Sequence, residues 1–307
     1  MGSLETEFVM GTWSLGSRGW SPISEEQAMA TLDAAWEAGV RHFDCAAGYG
    51  EAQDRLGEFL KDKPRDSFTV ASKAFPSKKE GGFERQYRQT HEQLGLDVID
   101  TFFIHWPRSD TDLRPYMEFL EGERSAGRLR KIGVSNFLPR HLEQVSEAGT
   151  VDVYQGGYHL FWRMPEEEVV PWCKEHGIPL QAYSPLGQGI LTGKFSRHPE
   201  FEEGDNRAKT VLFEEEVWPK VHAAVEELKQ LAEAHNASLV AMALQWVVRQ
   251  PGFANVVVGA RKPEQIRANV EAFKADLSDD LFLKMTALSD RLQAELPEVT
   301  NFWRNDF

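Results

Sequence analysis

The feature that most constrains the fold is the regular alternation of β-like runs with helical patterns. Eight short runs recur along the chain, and most are followed by a segment of helical periodicity. Several are almost continuous in apolar and β-branched residues, which is typical of strands buried on both faces. The runs span residues 8–13, 41–46, 67–73, 98–106, 131–136, 151–158, 179–185 and 255–260. Alternating βα units indicate a parallel sheet, and eight of them predict an α/β fold of the (β/α)8 TIM barrel type.

Helix-end chemistry supports the intervening helices. Ser24 is followed three residues later by Gln27, the spacing of a capping box, and this helical pattern closes on Gly39. Pro165 lies at the start of another helical pattern, where a missing N–H costs little. Pro171 lies further along that pattern, so we expect it to bend or offset the helix.

The last third of the chain adds elements to the simple βα repeat. Residues 197–211 are polar and lack periodicity, which predicts a long loop. Two extra helical patterns, 214–235 and 238–249, precede the eighth run, and a helix around 278–293 is followed by a C-terminal tail. No Ser/Gly/Pro-rich linker interrupts the chain, so a single domain over residues 1–307 is the simplest prediction.

Charge and composition exclude several classes of partner. The net charge of −14 argues against nucleic acid and anionic membrane as partners. No run of about eighteen apolar residues is present, so no membrane span is expected. The two cysteines, Cys45 and Cys173, are far apart, and the histidines have no metal-ligating spacing. These observations predict a cytoplasmic protein without a metal site.

Polar residues stand where the second, third and fourth apolar runs end. Asp44 ends the second run and Tyr49 follows on its loop, while Lys73 ends the third run and His105 the fourth. Because loops at the carboxyl ends of barrel strands converge on one mouth, we expect these side chains to meet there.

These four residue types form a coherent set for acid–base chemistry. A partly desolvated Lys73 needs a partner, and Asp44 at the neighbouring strand end can provide it. A cation held beside Tyr49 is expected to stabilise the phenolate and lower the tyrosine pKa from about 10. Such a phenol would donate a proton to a carbonyl oxygen, with His105 orienting that oxygen or sharing the proton.

Seven sequence motifs resemble those of the aldo-keto reductase superfamily, from about Gly11 to Phe273 and in family order. They are FDCAAGYGEAQDRLG, VASK, FFIHWP, KIGVSNF, YQGGYH, AYSPLGQGILTGK and VVVGARKPEQIRAN. In detail they are most similar to the branch that includes bacterial inositol-utilisation reductases and potassium-channel β subunits. The resemblance implies a barrel that binds an extended nicotinamide cofactor at its mouth and reversibly reduces an aldehyde or ketone.

The resemblance also implies roles for individual residues. Tyr49 matches the proton donor, and Asp44, Lys73 and His105 complete a catalytic tetrad. The residues that match cofactor-binding positions are Gly11, Thr12, Trp13, Asp44, Ser135, Asn136, Gln155, Tyr183, Ser184, Leu186, Gln188, Gly259, Ala260, Arg261, Gln265 and Asn269. Within this set, Ser135, Asn136 and Gln155 correspond to contacts with the nicotinamide amide. Tyr183 corresponds to the aromatic residue that stacks on the ring.

The adenosine segment departs from the better-known reductases, which carry a lysine–serine pair and an arginine there. Gly259 and Ala260 occupy this segment, so the cationic contacts to a 2′-phosphate would have to come from Arg261 and Lys262. On this argument NADP(H) is favoured over NAD(H). Trp303 and Phe307 of the tail are candidates to cover the pocket or the side of the barrel.

Two other functions compete with carbonyl reduction. The channel β subunits suggest a cofactor-binding redox sensor or regulatory subunit with slow or vestigial turnover. A barrel hydrolase would need two acidic strand ends, whereas only Asp44 is clearly found. The sequence predicts a small-molecule carbonyl or alcohol substrate but identifies neither that substrate nor an oligomeric state.

Overall fold

Eight parallel strands close into a barrel in chain order, with the first strand paired to both the second and the eighth. The structure is a computed structural model that describes residues 6–108, 110–299 and 301–303. The strands are β1 (Glu7–Gly11), β2 (His42–Asp44), β3 (Thr69–Ala74), β4 (Ile99–Ile104), β5 (Leu129–Ser135), β6 (Val153–Gly157), β7 (Leu180–Tyr183) and β8 (Phe253–Gly259). Every predicted run overlaps one strand, and the predicted (β/α)8 barrel is confirmed.

Helices surround the barrel. They are α1 (Glu25–Glu37), α2 (Ala52–Leu60), α3 (Gly82–Leu94), α4 (Arg114–Ser125), α5 (Pro139–Ser146), α6 (Val169–Glu175), α7 (Trp218–His235), α8 (Leu239–Val248), α9 (Pro263–Phe273) and α10 (Asp279–Gln293). Both α7 and α8 precede β8, and α10 follows the barrel, as the helical periodicity predicts. Among the described helices, none is long and apolar enough to cross a membrane.

Two predictions about helix ends need correction. Ser24 caps α1 by accepting a hydrogen bond from the Gln27 N–H at 3.1 Å, but the Gln27 side chain donates to the Arg261 carbonyl instead of completing a capping box. The helix predicted from Pro165 begins only at Val169, after a short 3₁₀ turn. Pro171 therefore lies in the first turn of α6, where its missing N–H leaves no helical bond broken.

The segment 197–211 is a loop, as predicted, but part of it is folded. It contains one 3₁₀ turn, Asn206–Lys209, and ends at Val211, which is fully buried. The Arg207 guanidinium lies 4.9 Å from the ring centroid of Trp20, on the loop that follows β1. The loops after β1 and β7 therefore meet over the carboxyl ends of the strands.

Candidate active site

A chain of polar side chains crosses the barrel interior near the carboxyl ends of its strands. The Lys73 ammonium donates to Asp44 Oδ1 at 2.5 Å and to the Cys45 carbonyl at 2.8 Å. From the opposite wall, Gln155 Nε2 donates to Asp44 Oδ2 at 2.8 Å and to Gln181 Oε1 at 2.7 Å. Lys73 has no exposed surface and Asp44 only 3%. The buried carboxylate is therefore bonded through both oxygens, which offsets the cost of its desolvation.

Tyr49 lies above this pair on the loop that follows β2, and it is partly exposed to the barrel mouth. Its ring centroid is 5.2 Å from Lys73 Nζ. The ring stacks on Trp13 with centroids 5.8 Å apart and meets His105 edge-on, also at 5.8 Å. The tyrosine, lysine, aspartate and histidine that the sequence predicts to meet are thus close neighbours.

The electrostatic expectation for Tyr49 is wrong. Its pKa lies well above the usual 10, because desolvation and the negative charge of Asp44 both disfavour the phenolate. Lys73 does not reverse this effect, since its ammonium is bonded to Asp44 and to a backbone carbonyl. Tyr49 therefore keeps its proton throughout the neutral pH range.

His105, the residue after β4, forms the adjoining wall. Its side chain is buried, and its Nδ1 has no hydrogen-bond partner within the described residues. Desolvation and the nearby Lys73 charge hold its pKa well below 6.5. The imidazole is therefore neutral at pH 7 and can donate or accept one hydrogen bond without carrying charge.

A cavity of about 980 Å³ extends from Tyr49 and His105 across the barrel mouth to α9. Nearly all of the predicted site residues line it. The exceptions are Thr12 and Lys73, which lie behind the wall. The Thr12 hydroxyl donates to the Asp44 carbonyl at 2.9 Å, so in this structure it fixes the end of β2.

The residues predicted to contact the nicotinamide form the cavity wall at β5 to β7. Asn136 has a left-handed backbone with φ of +65°, and its Oδ1 accepts a hydrogen bond from the Tyr183 hydroxyl at 2.7 Å. Its Nδ2 donates to Ser135 Oγ at 2.9 Å. Gln155 reaches the same wall from β6. These contacts hold the Tyr183 ring at the edge of the cavity.

The loop after β7 combines strained backbone with unpaired polar atoms. Ser184 and Gln188 both have φ of +55°, in the left-handed region that L residues rarely adopt. Both polar atoms of the Gln188 amide are buried without a partner in the described part of the chain. An arrangement of this kind is suited to a ligand that satisfies the amide.

At the far end of the cavity, β8 leads into the N-terminus of α9. The Arg261 guanidinium donates to the Ser21 carbonyl at 2.7 Å, while its Nε is buried and unpartnered among the described residues. Gln265 accepts a hydrogen bond from the Arg261 N–H at 2.9 Å, and Asn269 lies one helical turn further on. A helix N-terminus beside an oriented arginine favours bound anions.

Sequence reasoning missed three cations that line the cavity. They are Arg18, Lys194 and Lys209, and no carboxylate of the described residues forms a salt bridge with any of them. Burial and the neighbouring Arg207 lower the pKa of Lys194. Lys194 is the last residue of the glycine-rich motif after β7. In the folded chain its side chain packs against Gly189 and lines the cavity, which the motif alone does not indicate.

Aromatic side chains narrow the mouth. Trp303 of the C-terminal tail lines the cavity and meets Trp13 with ring centroids 5.9 Å apart. Phe307, the other tail residue considered for this position, lies outside the described residues. Among residues 6–108, 110–299 and 301–303, no group of three or more side chains is placed to hold a metal ion.

Comparison with known proteins identifies relatives over almost the whole chain. Residues 7–290 match the model of the aldo/keto reductase family. The NADH-specific methylglyoxal reductase of Escherichia coli is 28% identical, with 92% of this chain and 94% of the relative covered. An uncharacterised oxidoreductase of Mycobacterium bovis is 30% identical, with coverages of 97% and 92%.

Solved structures have the same architecture. The glycerol dehydrogenase of Gluconobacter oxydans superposes with a TM-score of 0.82 at 27% identity, covering 92% of this chain and 91% of that one. An aldo/keto reductase from Klebsiella pneumoniae, in complex with NADP and acetate, gives a TM-score of 0.73 at 24% identity, with coverages of 96% and 93%. The second likeness supports the fold alone.

Proposed function

The chain belongs to the aldo/keto reductase family, and from that premise we propose that it is an NAD(P)H-dependent oxidoreductase that reversibly reduces an aldehyde or ketone. The observation that carries the proposal is the meeting of Tyr49 and His105 at the cavity wall, above the buried pair of Lys73 and Asp44. No apolar core requires this arrangement, whereas proton transfer to a carbonyl oxygen does.

The cavity residues fit a nicotinamide dinucleotide. Gln188 Nε2 and Arg261 Nε have no partner among the described residues, and an anionic, extended ligand would accept hydrogen bonds from both and be attracted by Lys194 and Lys209. In the proposed arrangement, Ser135, Asn136, Gln155 and Tyr183 hold the nicotinamide. Gly11, Trp13, Ser184, Leu186 and Gln188 flank the middle of the ligand, and Gly259, Ala260, Arg261, Gln265 and Asn269 hold the adenosine end. When bound, the reduced nicotinamide supplies the hydride that reaches the substrate carbon.

Tyr49 supplies the proton in this proposal. Its raised pKa keeps the phenol protonated, so it can donate a hydrogen bond to the substrate oxygen before reaction. An alkoxide is more basic than a phenolate, so the proton moves to the oxygen as negative charge develops there. Neutral His105 donates a second hydrogen bond and orients the same oxygen. The aromatic walls, Trp13 among them, exclude water from this end of the cavity.

We further propose that NADP(H) is preferred to NAD(H). Arg261 is held by backbone carbonyls, and its Nε has no partner within the described residues, so an additional phosphate can be bound without reorganising the side chain. The E. coli relative is named as specific for NADH, so the affinities for both dinucleotides are to be compared directly.

The test is turnover on a panel of small aldehydes, ketones and sugars with either reduced dinucleotide, combined with fluorescence titration of each. We expect turnover with at least one carbonyl and tighter binding of NADPH. Tight binding without turnover on any substrate would contradict reduction and favour the redox-sensor alternative. Binding of neither dinucleotide would exclude both.

A further inference from the structure

The backbone of Phe75, the residue after β3, is paired with a side chain where the sheet ends. The last carbonyl of β3, that of Ala74, accepts a hydrogen bond from the His105 N–H at 2.9 Å. Beyond it, the Phe75 N–H donates to Gln86 Oε1 at 3.3 Å, and the Phe75 carbonyl accepts from Gln86 Nε2 at 3.0 Å. One amide side chain thus takes the place of a peptide group from a neighbouring strand.

Gln86 is itself held in a single orientation. It lies on α3 at the cavity wall, and its Nε2 also donates to the Gly82 carbonyl at 3.1 Å. Both hydrogens of its amide are therefore used, one by its own helix and one by Phe75.

The ring of Phe75 contacts both parts of the proposed proton-transfer site. It packs on the His105 imidazole with ring centroids 4.5 Å apart and planes inclined at 33°. A Cβ added to Gly48 would lie 3.0 Å from Phe75 Cε2, so the backbone just before Tyr49 also packs against the ring. A displaced Phe75 would free the histidine and the tyrosine loop together.

We propose that Gln86 is a positioning residue for carbonyl reduction: by holding the Phe75 backbone, it fixes the ring that sets the places of His105 and of the Tyr49 loop. This inference rests on the proposed function. Under this inference α3 influences the proton-transfer site indirectly, through Phe75. In the described contacts, no residue of α3 touches the Tyr49 or His105 ring. Proton transfer is sensitive to such placement, since a shift of about 1 Å can cost about a hundredfold in rate.

The test variant is Gln86→Met, which keeps the length of the side chain and removes both hydrogen bonds to Phe75. We expect kcat to fall about tenfold or more. The dinucleotide Kd should stay unchanged, because none of the proposed cofactor-binding residues lies on α3. In NMR spectra, the chemical shifts of the His105 ring protons should change, because the imidazole packs on the Phe75 ring, and this readout needs no turnover.

The matched control is Thr90→Val, one turn further along α3. The Thr90 hydroxyl donates to the Gln86 carbonyl at 2.9 Å and lies 3.2 Å from Gln53 Oε1, so its loss loosens the same helix without touching Phe75. We expect Thr90→Val to lower stability but to leave kcat and the His105 resonances as in the wild type.

Three outcomes are decisive. Unchanged His105 resonances and kcat in Gln86→Met would overturn the inference, as would equal losses of kcat in both variants. If the wild type reduced no carbonyl, the proposed function would be rejected. A shift of the His105 resonances in Gln86→Met would then still support the contact between Gln86 and Phe75.

Discussion

The two ends of the cavity differ in how their polar groups are paired. At the end formed by β2 to β4, Lys73 and Asp44 are buried and bonded to each other and to further protein groups. At the end formed by β7, β8 and α9, the Gln188 amide and Arg261 Nε are buried without partners in the described residues, and the backbone after β7 is strained.

The contrast indicates what each end does. The Lys73–Asp44 pair at the first end is fully bonded without a ligand, so its geometry is preorganised for chemistry. The other end carries costs in desolvation and backbone strain that a bound anion would offset. Substitutions should therefore lower stability at the first end and ligand affinity at the second.

The largest effect is expected from Tyr49→Phe. Loss of the phenol hydroxyl removes the proposed proton donor and should lower kcat by about 10²–10⁴-fold. The dinucleotide Kd should stay within about twofold, because the ring and its stacking on Trp13 remain. Steady-state kinetics and fluorescence titration measure the two quantities. A parallel loss of both would contradict the role assigned to the hydroxyl.

Lys73→Met tests the paired end. It leaves the Asp44 carboxylate buried without its cation, which should lower the free energy of unfolding by about 3–5 kcal/mol. The double variant with Asp44→Asn removes the charge as well and should recover part of that loss. Urea denaturation measures both. If the double variant were no more stable than Lys73→Met, the ion pair would not be the source of the loss.

Lys194→Met tests the unpaired end. Removing this cation should weaken dinucleotide binding by about tenfold, the effect of one charge-assisted contact. Stability should be unchanged or slightly increased, because burial already disfavours the charged form of Lys194 and lowers its pKa. Lys220→Met, on the exposed surface of α7, serves as the control. Strong destabilisation by Lys194→Met would remove the distinction between the two ends.

The smallest effect concerns pH. The folded pKa of His105 lies well below 6.5, so the unfolded chain takes up a proton first as the pH falls, and stability decreases from about pH 6.5 down towards the folded pKa. Between pH 7 and 6 this one histidine should cost about 0.7 kcal/mol. Urea denaturation at both pH values measures the free energy of unfolding. Between pH 7 and 6, His105→Gln should lose about 0.7 kcal/mol less of it than the wild type. An equally steep loss in the variant would assign it to other groups, such as His141 and His159, whose pKa values are lowered to about 4 and about 3.

Several features of the fold could be predicted because they depend on local pattern. Apolar runs marked all eight strands, and Ser24 and Gly39 marked the ends of α1 correctly. The start of α6 was predicted too early, because a proline fits either the first turn or a kink, and periodicity alone does not distinguish the two. The folded part of 197–211 escaped prediction because its order depends on contacts such as that between Arg207 and Trp20.

The sequence by itself determined the order of strands and helices and the polar residues at the strand ends, since strand periodicity and helix-end signals are properties of neighbouring residues. Only the tertiary structure decided how those polar groups are paired. Gln155 reaches Asp44 across 111 residues of chain, and Gln86 replaces a strand partner for Phe75. The pKa of Tyr49 was also decided by the tertiary structure. It depends on how far the surrounding residues desolvate the phenol and on which groups the Lys73 ammonium is bonded to, and spacing along the chain gives neither.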